Sequence, residues 1–94
     1  MTLSMRDGFP PFLSDENGHI SACDESQNWL VIVTREALED VAEPADASLL
    51  RLLEYHSLFL EVAAFKLEHG RAGDEDTIWI QTDDLREWQS LQTS

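Results

Sequence analysis

Four side chains carry an imidazole or a thiol: His19, Cys23, His56 and His69. These groups ligate metals and serve as bases or nucleophiles, so their spacing is the first test of what chemistry the chain could do. No pair shows a recognised ligand spacing such as His-Glu-x-x-His. His56 falls on an apolar helical face and reads as a hydrogen-bonded core histidine, while His69 precedes Gly70 and reads as a partner for the last helix carbonyls. Cys23 and His19 share a short strand, but a nucleophile–base pair there needs an orienting carboxylate and oxyanion donors, and the sequence places neither nearby. With Cys23 the single cysteine, an intramolecular disulfide and a multi-cysteine zinc site are both excluded, and a reducing compartment fits.

Carboxylates are the abundant functional group. Asp74-Glu75-Asp76 and Asp83-Asp84 could hold a divalent ion if their segments converge, yet the calcium-loop pattern lacks its glycine and its terminal glutamate. Gly70-Arg71-Ala72-Gly73 lacks the spacing of a phosphate-binding loop and its following Lys-Ser/Thr. A solvated acidic surface is therefore the default reading. A small metal-using enzyme built on the acidic loop ranks behind a non-enzyme with no catalytic residue, cofactor or metal.

Six Lys and Arg against nineteen Asp and Glu give a formal net charge of −13. Such a charge repels phosphate backbones and anionic lipid, so neither direct nucleic-acid binding nor membrane binding is expected. The charge is uneven: residues 1–46 carry net −8, residues 47–71 are neutral and residues 72–94 carry net −5. Electrostatic recognition should therefore reside in the flanks, on Asp15, Glu16, Asp24, Glu25, Glu39, Asp40, Asp74, Glu75 and Asp76. The segment from Met1 to Pro10 lacks an apolar signal-like stretch, and the longest apolar run, Trp29 to Val33, is too short to span a bilayer. The expectation is a cytoplasmic protein.

Those residues must be positioned by one domain, because 94 residues leave too little interior for two cores. Residues 1–13 contain Gly8, Pro10 and Pro11 and read as an irregular arm tacked down by Phe9, Phe12 and Leu13. Asn17-Gly18 reads as a turn, and residues 18–33 as a β-hairpin whose second strand, Asn28 to Val33, is either covered on both faces or central in a small sheet. Thr34 caps a short helix over residues 35–42 that directs Ala37, Leu38 and Val41 inward and ends at Pro44. Asp46 or Ser48 caps a long helix over residues 47–69, stopped by Gly70. A strand over residues 77–82, with Ile78 and Ile80 on one face, and a helix over residues 83–91, capped by Thr82 or Asp83, complete the order ββααβα. The fold class is α+β, a small antiparallel sheet of a hairpin plus a late third strand packed on one long helix.

At 100° per residue, Leu49, Leu52, Leu53, His56, Phe59, Leu60, Ala63, Ala64 and Leu67 form one broad stripe facing the sheet. Tyr55, Leu58, Val62 and Phe65 form a second at the spacing of a helix-to-helix seam, with Arg51 and Lys66 on the polar flanks. Either this second stripe docks on a partner helix or a second copy, or the terminal segments fold over it with Phe9, Phe12, Leu85 and Trp88 as the cover.

The segment Thr34-Arg35-Glu36-Ala37-Leu38-Glu39-Asp40, the stretch from Leu49 to Gly70 and the late strand with its Asp-Leu ending, Thr77 to Leu85, resemble a family of short bacterial proteins, domain of unknown function 1488. Where that family carries an Asn-Arg pair, this chain has His56 and Ser57. The resemblance covers about two-thirds of the chain, implies an α+β fold and carries no activity.

The functional expectation is a small acidic protein-binding module that self-associates or docks through Tyr55, Leu58, Val62 and Phe65. The alternative is a nucleic-acid-mimicking inhibitor of a DNA- or RNA-binding enzyme, of the anti-restriction or anti-CRISPR type, whose carboxylates stand where phosphates would lie.

Overall fold

The computed structural model describes residues 3–70 and 76–93. Their elements run β1 (Ser4–Met5), β2 (Phe12–Ser14), β3 (Asn17–Cys23), β4 (Asn28–Val33), α1 (Arg35–Asp40), α2 (Leu49–Glu54), α3 (His56–Glu68), β5 (Thr77–Ile80) and α4 (Thr82–Thr93). The result is an α+β fold with a mixed five-stranded sheet. Strands β1 and β2 both pair antiparallel with β3, β3 pairs antiparallel with β4, and β4 pairs parallel with β5.

The arm expected to be irregular is an interrupted edge strand. Met5 pairs with Ala22 and Phe12 with His19, while Pro10 and Pro11, which have no N–H to donate, fall in the break between. The arm's aromatic residues do not pin it to the core: Phe9 and Phe12 stay about half exposed. The reversal into β3 lies one step before Asn17-Gly18. Asp15 and Glu16 form it, both at positive φ (52° and 70°), as a two-residue hairpin turn requires. Gly18 serves packing instead. A Cβ built there would lie 2.8 Å from Leu52 Cδ1, so the missing side chain lets α2 approach the sheet. Gly18→Val is expected to cost about 1–3 kcal/mol by overpacking, read as a lower urea midpoint with an unchanged slope.

A parallel β4–β5 pair corrects the expected antiparallel sheet. Parallel neighbours need a crossover connection, and α1, α2 and α3 supply it.

The single long helix expected over residues 47–69 is also corrected: it breaks at Tyr55 (φ −110°, ψ 16°) into α2 and α3. His56 Nδ1–H donates to the Leu53 carbonyl at 2.8 Å, satisfying a backbone acceptor that the break leaves behind. The break also changes which side of the chain faces inward. In α2, Arg51 and Leu52 are buried, whereas Leu49, Leu50 and Leu53 are exposed. In α3, the buried set is Phe59, Leu60, Val62, Ala63 and Ala64. That set covers more than half of the helix circumference, as expected for a helix enclosed on several sides.

Among the described residues, helices α1 to α4 all contribute to one core against the sheet. Ala37 and Leu38 of α1, Leu52 of α2, Phe59 and Val62 of α3 and Leu85 of α4 share one core with Ile20, Ala22, Val31, Val33, Ile78 and Ile80. Lys66 fastens α4 to α3 and to the sheet, donating to Asp84 Oδ2 at 3.0 Å and to the Trp79 carbonyl at 2.5 Å. Asp84 Oδ2 also accepts from the Gln81 N–H at 2.9 Å, so the start of α4 is held by Asp84 rather than by Thr82 or Asp83. Among the described residues, no helix is long and apolar enough to cross a membrane.

Candidate binding surface

Strand alternation sorts the sheet into two faces. Ile20, Ala22, Val31, Val33, Ile78 and Ile80 point into the core. On the opposite face the register places Phe12 beside His19, His19 beside Ile32 and Ile32 beside Trp79, one residue from each of four adjacent strands. None of the four belongs to the main core cluster that the described helices share with the sheet. Phe12 is 46% and Trp79 42% exposed, while Ile32 is buried at 7% exposure, apart from the main core cluster. The Phe12 and His19 rings stack with centroids 4.8 Å apart and planes 10° apart, an arrangement that fixes both in place.

No strand residue on this face is an Asp or Glu. In a chain with nineteen of them, that leaves an aromatic strip of low charge. Carboxylates collect where the strands end. Asp15 and Glu16 form the turn at one end of β3, and Asp24 and Glu25 open the turn at the other. Asp76 joins the second group, accepting from Gln27 Nε2 at 2.6 Å.

Comparison with family models, curated proteins and solved structures finds no match.

The stripe expected on the back of the long helix is not a continuous surface. Val62 is fully buried, Tyr55 and Leu58 pack against the core, and Phe65 is part-exposed beside His69 with ring centroids 4.2 Å apart. Leu85 of α4 lies in that core and Trp88 packs against it, so the C-terminal helix provides the cover.

The acidic set divides by role. Glu16 and Glu39 pair with Arg35 at 3.0 and 3.5 Å, and Asp40 pairs with Arg86 at 3.6 Å. Asp24 organises its turn: one oxygen accepts from Ser26 N–H, Ser26 Oγ–H and Gln27 N–H at 2.6–2.8 Å, and the other from Trp29 Nε1–H at 2.9 Å. Asp74 and Glu75 lie outside the described residues.

The Ser26 hydroxyl first, then the Trp29 indole and the two backbone N–H groups, hold Asp24 well below the ordinary carboxylate range. In the unfolded chain Asp24 takes up a proton near its usual value of about 4, which the folded state refuses until lower pH. This site's contribution is thus complete above that value and is lost as the medium becomes more acidic. Asp24→Asn should lower the thermal midpoint at neutral pH and flatten its decline in acid, measured by calorimetry from about pH 2 to about pH 6.

A second concavity, about 730 Å³, opens between β1, α3 and α4, with Leu60, Phe65 and Trp88 among its walls and His56, Ser57 and Glu61 at its polar side. Ser57 Oγ lies 3.3 Å from His56 Nε2, but these are helix neighbours, and the other imidazole nitrogen is committed to the Leu53 carbonyl. Their geometry serves the α2–α3 junction. His19 and Cys23 share the open face four residues apart on β3, roughly 13 Å at strand rise, so they do not meet. Among the described residues, no three His, Cys, Asp or Glu side chains converge as a metal site.

Sequence reasoning missed the open face because its members are scattered from residue 12 to residue 79. The available signal was the alternation Ile78-Trp79-Ile80, which puts Trp79 opposite two core residues.

Proposed function

We propose that this protein is a non-enzymatic protein-binding module that docks its partner on the uncovered face of the sheet. The observation that carries the reading is the row Phe12–His19–Ile32–Trp79, one residue from each of four neighbouring strands with an exposed aromatic ring at either end. Aromatic side chains on a rigid element are favoured anchors for protein association, because they bury much area and lose little rotamer freedom. The sheet holds the row in place before binding, which lowers the ordering cost of association.

The nucleic-acid-mimic reading fares less well. Phosphate imitation needs rows of carboxylates free to face a basic channel, whereas Glu16, Glu39 and Asp40 are paired with arginines of the same chain.

A photo-crosslinking residue introduced at position 12 or 79, in the cell that makes the protein, tests this reading. Both sites should yield an adduct with the same protein, and a control at the exposed Leu50 of α2 should not. Adducts from position 50 alone, or none from positions 12 and 79, would reject the open face as the docking surface.

A further inference from the structure

The distribution of charge around the open face points to the kind of partner it takes, an inference that rests on the docking reading above. We infer that the occupant is a cationic amphipathic helix, lying across the strands with its apolar stripe on Phe12, Ile32 and Trp79 and its basic residues over the two acidic turns. Four adjacent strands span about 14 Å from first to last, which some ten residues of α-helix match at 1.5 Å each. Along β3 the Asp15-Glu16 turn and the Asp24-Glu25 turn are nine residues apart, roughly 30 Å. A helix about 10–12 Å wide, with lysine or arginine side chains extended from both flanks, fills most of that distance.

Asp24 keeps its negative charge in this setting, because the Ser26, Gln27 and Trp29 groups that donate to it are neutral. Asp76 likewise accepts from a neutral amide. Glu25 and Asp15 are exposed, so although Glu16 is paired with Arg35, an exposed carboxylate stands at each end of the face and none stands on the row between them. Phosphate-bearing ligands are repelled by those ends. A second copy laid face to face would bring acidic turns against acidic turns. A partner with an apolar middle and basic edges satisfies both regions at once.

The probe is a synthetic helix of leucine and lysine, about 15 residues long, with a scrambled control and a control carrying glutamate for lysine. The expected result is one-to-one binding of the Leu/Lys helix that weakens with added salt, with neither control bound. Phe12→Ser and Trp79→Ser should each weaken binding by roughly 10- to 30-fold, and Leu50→Ser by less than about twofold. Methyl resonances of the unsubstituted protein give a readout independent of variant folding: Leu30 and Ile32 should shift on titration, and Leu50 should not. Binding that ignores the Phe12 and Trp79 substitutions, shifts confined to the helices, or dimerisation of the chain through this face would overturn the inference. Crosslinking to a protein at positions 12 and 79, combined with no binding of the Leu/Lys helix, would overturn the basic-helix assignment and leave the docking reading standing.

Discussion

Replacing Arg51 with methionine is expected to lower the unfolding free energy by roughly 3–5 kcal/mol, a large share of the 5–15 kcal/mol typical of a small domain. Arg51 is 6% exposed and its guanidinium donates to three backbone carbonyls: Leu38 at 2.9 Å, Ala42 at 3.0 Å and Pro44 at 2.5 Å. Leu38 belongs to the last turn of α1, and that helix has no basic residue of its own there. Arg51 therefore supplies, from α2, both the donors and the positive charge that a helix C-terminus favours. Methionine fills much of the same volume but leaves three carbonyls, one of them deep in the interior, without their partner. Arg51→Lys should fall between the two, since an ammonium group keeps the charge but cannot present the planar fork. Urea denaturation of the three proteins measures the order. A methionine variant within about 0.5 kcal/mol of the parent would show that water replaces the guanidinium at no cost.

Val62→Glu is expected to cost on the order of 4 kcal/mol or more at neutral pH, enough to unfold a domain of ordinary stability. Val62 is fully buried within the shared core of sheet and helices, so a carboxylate there loses its water and gains no partner. The damage should ease at low pH, where the introduced group becomes neutral. Leu50→Glu is the matched control: Leu50 is 63% exposed on α2, and its replacement should change stability by less than about 0.5 kcal/mol. Circular dichroism during thermal unfolding separates the two outcomes. A folded Val62→Glu protein that merely changes its oligomeric state would instead place Val62 at an interface between chains.

Much of the local structure was legible because it depends on neighbours in sequence. Thr34 caps α1 by accepting from the Ala37 N–H at 3.3 Å, and Ser48 caps α2 by accepting from Arg51 N–H at 3.1 Å. Gly70 stops α3 at φ 67°, and His69 takes the Phe65 carbonyl at 2.9 Å. Each is a choice made within one turn of chain, where side-chain chemistry and backbone geometry meet directly. The break at Tyr55 was not legible, because residues 47–69 contain neither glycine nor proline and favour one continuous helix. It follows from Arg51 reaching the end of α1 and Leu52 reaching Gly18, demands set by distant partners. The candidate surface was illegible for the same reason: Phe12, His19, Ile32 and Trp79 become neighbours only through strand register.

Composition and periodicity by themselves determined an α+β chain with a strongly acidic surface, its hairpin, the caps of α1 and α2 and the identity of most core residues. Those properties follow from residue type, short-range geometry and the alternation of apolar positions. Tertiary structure alone decided that β5 lies parallel to β4, that α4 closes over α3 and that the back of the sheet stays open. Each of these depends on which apolar surfaces find each other first-hand in space, and burial is a non-directional force that the order of residues along the chain does not resolve.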